Sequence, residues 1–352
     1  MKGLVRGAAL LLCGLLVVTI GLTQPAGAAN AKTPAKKLDL VWPLPPEKPR
    51  IKWLDQFGSS KDIGADKRSA FQQFIVGFEP PTVGLQKPYG VAVDKDGRVY
   101  VTETGKNPAV AVFDKKNKRA YTIGAKGRVQ LQLPTGIAVD DEEGTVWVAD
   151  AKAKTVYCFT KAGEPVSAIG SEAGNELVNP AGVAVDAEKR LLYVADSKAH
   201  VVKVYRTDGT PLSTIGGPGN KDGYFNYPTN LALDREHRLY VVDTMNFRVQ
   251  VFDATGKFLR KFGELGDTPG CFSRPKGIAL DTEGHVYVVD AAFNNFQIFD
   301  QEGRLLLFVG SGGMGEGQFH LPAGLAIDGQ NRIYAVDQLN ARIQIFQFLG
   351  GK

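Results

Sequence analysis

Four histidines and a recurring series of aspartates are the residues of this chain whose types could bind a metal or move a proton. An open catalytic zinc site generally needs three protein ligands. His200, His237, His285 and His320 would supply one only if three of them met. The aspartates Asp150, Asp196, Asp243, Asp290 and Asp337 recur at a nearly fixed interval. Carboxylates repeated in this way belong to a scaffold, where they accept hydrogen bonds from backbone N–H groups at turns, rather than to one reaction centre. No Ser-His-Asp spacing and no Cys-x-x-Cys-His haem attachment pattern stands in the sequence. The glycine runs, such as Gly310-Ser311-Gly312-Gly313-Met314-Gly315, recur as connectors and not as a phosphate loop.

The interval extends to the whole chain. A phrase of Pro, two residues, an apolar triplet and Asp begins at Pro88, Pro134, Pro180, Pro228, Pro275 and Pro322, in steps of 46 to 48 residues. A period in the forties marks a repeat architecture. In the fourth copy, Leu231-Ala232-Leu233-Asp234 is followed by Leu239-Tyr240-Val241-Val242-Asp243, Phe247 to Asp253, and Phe258 to Gly263. These four short runs are rich in β-branched and aromatic residues and are separated by Gly, Asp and Asn turns, so each copy reads as a four-stranded antiparallel meander, strands a to d. One such sheet cannot bury both faces; six around an axis can. The fold class is therefore all-β, a six-bladed β-propeller of four-stranded antiparallel blades. The sixth copy stops after strand c at Phe346, whereas Arg50 to Gly58 ends in the Phe-Gly of a d strand, so an N-terminal strand is expected to complete the last blade.

Antiparallel order also assigns the two ends of the ring. Residues before strand a and after strand b share one end, the top; the a–b and c–d turns share the bottom. The top collects a candidate binding face of Lys87, Tyr89, Asn179, Tyr227, Arg274, Lys276 and His320, a basic and aromatic mixture of the kind that anchors interfaces. Thr229 joins it, and Asn246, Arg248, Asn340 and Arg342 read as turn and blade-to-blade contacts. His237 and His285 fall at the bottom, and His200 and His320 at the top, so three histidines do not meet.

The phrases Pro-x-Gly-[Val/Ile/Leu]-Ala-[Val/Ile/Leu]-Asp and Tyr-Val-x-Asp, followed by Asn246-Phe247-Arg248-Val249-Gln250-Val251-Phe252 and its counterpart Asn340 to Phe346, resemble the NHL repeat over roughly residues 50 to 347. Asn230 departs from the repeat Gly, Glu103 from the strand-b Asp, and the second and third copies lack the Asn and Arg. The resemblance implies the propeller. It leaves function open, since such propellers serve as enzymes, RNA binders and docking modules. The zinc lyases of the family use axial histidines from several blades, which the split of histidines here argues against. A metal held by carboxylates, with Glu103 as the irregular top residue, stands as an alternative; no other cofactor is indicated.

Lys2 and Arg6, the uncharged run Ala8 to Leu22 and the small residues Ala26-Gly27-Ala28 read as an export signal over 1–28, with a Pro- and Lys-rich tether over 29–49. An uncleaved signal would instead be a membrane contact. The chain is thus expected in the periplasm, cell envelope or extracellular space. Net charge is +5, and +3 without Lys2 and Arg6, which with export argues against nucleic acid as a partner. Cys158 reads as a small buried hydrophobe, too far from Cys271 in blade geometry for a disulfide.

One connector breaks the repeat. Residues 59–87 are more than a dozen longer than the corresponding segment before Pro275. Within them Phe71, Phe74, Ile75 and Phe78 have helical spacing after an acidic start, a candidate partner-docking or membrane-facing helix over the top face, or a plug on it. The composite expectation is an exported, non-catalytic docking, scaffold or sensor module whose partner is another extracytoplasmic protein. The alternatives are a metal-dependent lyase or hydrolase, and a propeller binding a glycan, small ligand or nucleic acid in its mouth.

Overall fold

A computed structural model describes residues 39–65, 82–170 and 174–350. The proposed helix with Phe71, Phe74, Ile75 and Phe78, and the signal segment 1–28, lie outside the described residues. Six antiparallel sheets form a six-bladed propeller. The inner strands are Pro88–Val93, Pro134–Asp140, Pro180–Asp186, Pro228–Leu233, Pro275–Leu280 and Pro322–Ile327. Each blade then runs outward in chain order, as in Leu239–Asp243, Arg248–Phe252 and Phe258–Phe262 of the fourth. The sixth sheet takes its fourth strand from Ile51–Phe57, which pairs antiparallel with Arg342–Phe348, Ile51 opposite Phe348 and Phe57 opposite Ile343, and the short Val41–Trp42 adds to it outside. Trp53 Nε1 donates to Gln344 Oε1 at 3.0 Å, tying the seam from the side-chain side.

Inner strands pack on one another around the axis, the sixth against the first. The repeat Gly makes this approach feasible. A Cβ on Gly136 would lie 2.6 Å from the Ala181 carbonyl oxygen, and one on Gly324 would lie 2.6 Å from that of Tyr89, across the last seam of the ring. No side chain fits there.

The hydrophobic interior is divided in the same way. It falls into six clusters, and each draws on two neighbouring blades. Val91, Val101 and Phe113 of blade 1 share one with Tyr334, Val336 and Ile345 of blade 6. Since burying one large apolar side chain is worth about 1.5–3 kcal/mol, the seams hold the blades together. The strands need both faces apolar for this, and Val-Tyr-Val runs supply them.

Candidate functional site

The strand-b carboxylates are acceptors for the entry loops. Asp196 takes the N–H of Val178 and Asn179 at 2.9 and 2.7 Å, and Asp150 takes those of Gln132 and Leu133. Asp290 does the same for Ser273 and Arg274. Glu103, the irregular member, accepts from Gln86, Lys87 and Gly105 at 2.6 to 2.8 Å, so its extra methylene is absorbed without a change of role.

In blades 4 and 6 the Asn, Arg and Gln of the third strand converge on the same carboxylate. Asp243 Oδ2 accepts from Asn246, Arg248 and Gln250, and Asp337 Oδ2 from Asn340, Arg342 and Gln344. Arg248 also donates to the carbonyls of Lys221 and Tyr224, and Arg342 to those of Gly315 and Gln318. These residues clamp the connector between blades; they are not free to bind a ligand.

Of the candidate binding face, the structure brings four residues together and leaves three apart. Lys276 is the second residue of the fifth inner strand and is only 9% exposed. Its Nζ stands 5.2 Å from the centre of the Tyr89 ring, which is the equivalent residue of blade 1. The intervening blade has Ala323 at this position, which leaves the space the lysine crosses. Burial, reinforced by Arg274 and Lys87, pulls the Lys276 ammonium down to about 8. Burial pushes the Tyr89 phenol up, against the attraction of Arg274. Lys87 and Arg274 are exposed at the lip. Among the described residues no carboxylate forms an ion pair with any of these three cations.

Tyr227, Asn179 and His320 stand elsewhere on the top. Tyr227 adopts φ 53°, donates its N–H to His200 Nδ1 at 3.2 Å and packs edge-on against that ring. Asn179 is half-buried and reaches the Ala151 carbonyl. His320 is exposed, its N–H on Asp337. Around them the top loops expose Leu133, Val178, Met245 and Leu339, and the connectors Tyr224, Leu265 and Met314. Among the described residues no large hydrophobic is exposed in the bottom turns; the other exposed ones lie on outermost strands or near the chain ends.

A cavity of about 740 Å³ opens at the bottom, away from the face singled out by sequence, and is lined by the a–b turns of blades 2 to 6. It includes Asp186, Glu188, Asp234, Glu236, Asp281, Glu283 and Asp328. Its buried carboxylates are already engaged. Asp281 accepts from the N–H groups of Glu283 and His285, from His285 Nδ1 at 2.8 Å and from the Tyr287 hydroxyl at 2.9 Å. Asp94, Asp234 and Asp328 repeat the arrangement with Arg98 and Tyr100, Arg238 and Tyr240, and Arg332 and Tyr334. Sequence reasoning passed over this set, although Asp-x-x-x-[Arg/His]-x-Tyr stands four times in the chain. Burial, with the adjoining carboxylate, pushes the Tyr240 phenol up to about 12. His237 pairs with Asp186 at 2.7 Å from the next blade. Thus two histidines are at each end, and among the described residues no three metal-binding side chains are grouped. Cys158 and Cys271 are free thiols.

Residues 220–295 match the family described as DUF5128, 6-bladed beta-propeller. No curated protein sequence matches the chain. Solved structures share the fold at low identity. A streptogramin B lyase is 14% identical with a TM-score of 0.57, over 75% of this chain and 94% of that one. A gluconolactonase from Xanthomonas campestris is 15% identical with a TM-score of 0.59, over 75% and 86%. A chain of a nidogen/laminin complex is 19% identical with a TM-score of 0.53, over 70% and 88%. What these likenesses establish is the fold: this chain is a six-bladed β-propeller of four-stranded antiparallel blades.

Proposed function

We propose that this chain is an exported propeller built from NHL-type repeats, which docks another extracytoplasmic protein on its top face and does no chemistry on it. The observation that carries the reading is the distribution of exposed apolar side chains. Met245, Leu339, Leu133, Val178 and Tyr227 share the end that also holds the cations without ion-pair partners among the described residues, whereas the opposite end is polar and its buried carboxylates are paired. Apolar residues rimmed by charge at one end of a molecule mark an interaction surface. The nidogen neighbour, described as part of a complex with laminin, supports a docking role by analogy of fold. The proposal includes connector 59–87 in this surface, since it joins the strand Ile51–Phe57 to the inner strand Pro88–Val93.

The test is co-purification from the native envelope after crosslinking, wild type against Met245→Ser with Leu339→Ser. Both side chains are about half exposed, at 50% and 46%, so thermal stability should stay within about 0.5 kcal/mol. Recovery of the partner should fall about tenfold. Unchanged recovery would overturn the docking reading. A second reading rests on the bottom cavity, whose volume suits a small polar ligand or glycan. The lyase and gluconolactonase neighbours extend it to catalysis. Loss of ligand or substrate response on Glu236→Gln with Glu283→Gln would support it.

A further inference from the structure

We propose that the top of the axial channel is a binding site for a small oxyanion, with Lys276 as its buried ligand and Arg274 and Lys87 as its lip. Three features of the structure lead there, independently of which protein docks on the surface around it. First, Lys87 before the first inner strand and Arg274 before the fifth stand at the same end of the ring as Lys276, and both are close enough to act on its charge. Secondly, Lys276 is 9% exposed and has an aromatic face instead of a carboxylate as its neighbour, Tyr89 at 5.2 Å. Thirdly, the carboxylates on the surrounding elements are committed elsewhere. Asp290 and Glu103 take entry-loop N–H groups, and Asp243 and Asp337 hold the connector clamps.

A buried charge without a partner opposes folding. In the other five blades the same position is Tyr89, Thr135, Ala181, Thr229 or Ala323, none of them charged at neutral pH. The lysine is therefore no requirement of the repeat. A chain that keeps a destabilising group where the fold does not need one points to a ligand that compensates it. The ammonium would donate to the anion, and the arginine guanidinium would offer a fork of donors from the rim. Tyr89 supplies a hydroxyl and a wall. The shared chemistry is that of a phosphate or a carboxylate group.

Two probes separate those sources: inorganic phosphate and succinate, each titrated against the full mature chain by calorimetry and thermal shift at constant ionic strength, with chloride as control. At pH 6.5 one or both should raise the melting temperature beyond chloride, and the one that does identifies the group. Because the site works through protonated Lys276, affinity should fall as pH rises through about 8, approaching tenfold per unit above it. Lys276→Met should fold and lose the response at every pH; Arg274→Ser, an exposed change, should weaken it about tenfold. Neither anion acting on the wild type beyond chloride, or a Lys276→Met chain that still responds, would overturn the proposal. Neither result bears on partner recovery with the Met245 and Leu339 variants, so the two readings fail separately.

Discussion

The bottom of the propeller is acidic and the top of its channel basic, but sign is the lesser difference between them. At the bottom, Asp94, Asp234, Asp281 and Asp328 each have an Arg or His four residues on and a Tyr hydroxyl beyond it, all within one turn. The charges there are written by the repeat and neutralised by it. At the top, Lys276 stands where the other five blades carry no charge, and Lys87 and Arg274 share the position before the strand Pro in blades 1 and 5. None of the three side chains forms an ion pair with a carboxylate among the described residues. Charge that recurs with its partner belongs to the fold. Charge that appears once, without one, is where the repeat has been modified for something else.

The strongest way to break the contrast is at the bottom. Asp281→Ala removes the acceptor of two backbone N–H groups, a histidine and the fully buried Tyr287 hydroxyl together. Removing one partner of a buried, hydrogen-bonded charge costs about 3–5 kcal/mol. Urea unfolding should record a loss of that size, while the top-end anion response should keep its affinity in the folded fraction.

The same operation at the top should have the opposite sign. Lys276→Met takes away a charge the fold opposes, and the distance of its pKa from the ordinary lysine value to about 8 corresponds to about 3 kcal/mol. The sign follows from proton binding. Between about 8 and the ordinary value near 10.5 the unfolded chain holds a proton that the folded chain lacks, so wild-type stability rises with pH across that window. The variant should therefore be more stable than wild type at pH 7, with the advantage shrinking above pH 8. Urea unfolding at pH 7 and 9.5 checks it; a variant less stable at pH 7 would make the lysine a structural residue and dissolve the contrast.

How far these ends could be read in advance differs residue by residue. The Pro phrases were enough for six blades, because strand period, turn residues and repeat length all agree. They also placed Lys87 and Lys276 at the same end, but as equals. Only the register separates them: Lys87 precedes the strand and is exposed, whereas Lys276 is one residue inside it and is buried against Tyr89. Its neighbour Tyr89 lies two blades away, and the contact depends on Ala323 leaving a gap, which no local pattern states. The Asp-x-x-x-[Arg/His]-x-Tyr turn, by contrast, is fully visible in the sequence. Its consequence, an acidic cavity whose buried carboxylates are paired, needs five turns to be seen together.

The finest test sits inside the bottom set, where blade 5 differs from blades 1, 4 and 6 by carrying His285 in place of Arg98, Arg238 and Arg332. The Asp281 hydrogen bond, with Asp281 and Glu283 charge, raises the His285 pKa above 6.5, against burial and the nearby Arg50; the edge-on Phe348 ring is uncharged. Protonated His285 thus contributes stability that is complete below pH 6.5 and is lost as pH rises through the raised value. Arg has no such transition. His285→Arg should match wild type at pH 6 and exceed it at pH 8.5, by less than about 1 kcal/mol for a half-buried pair. Melting temperatures of the two chains that run parallel from pH 6 to 8.5 would mean that the histidine's charge plays no part, and that blade 5 holds its turn by hydrogen bonds alone.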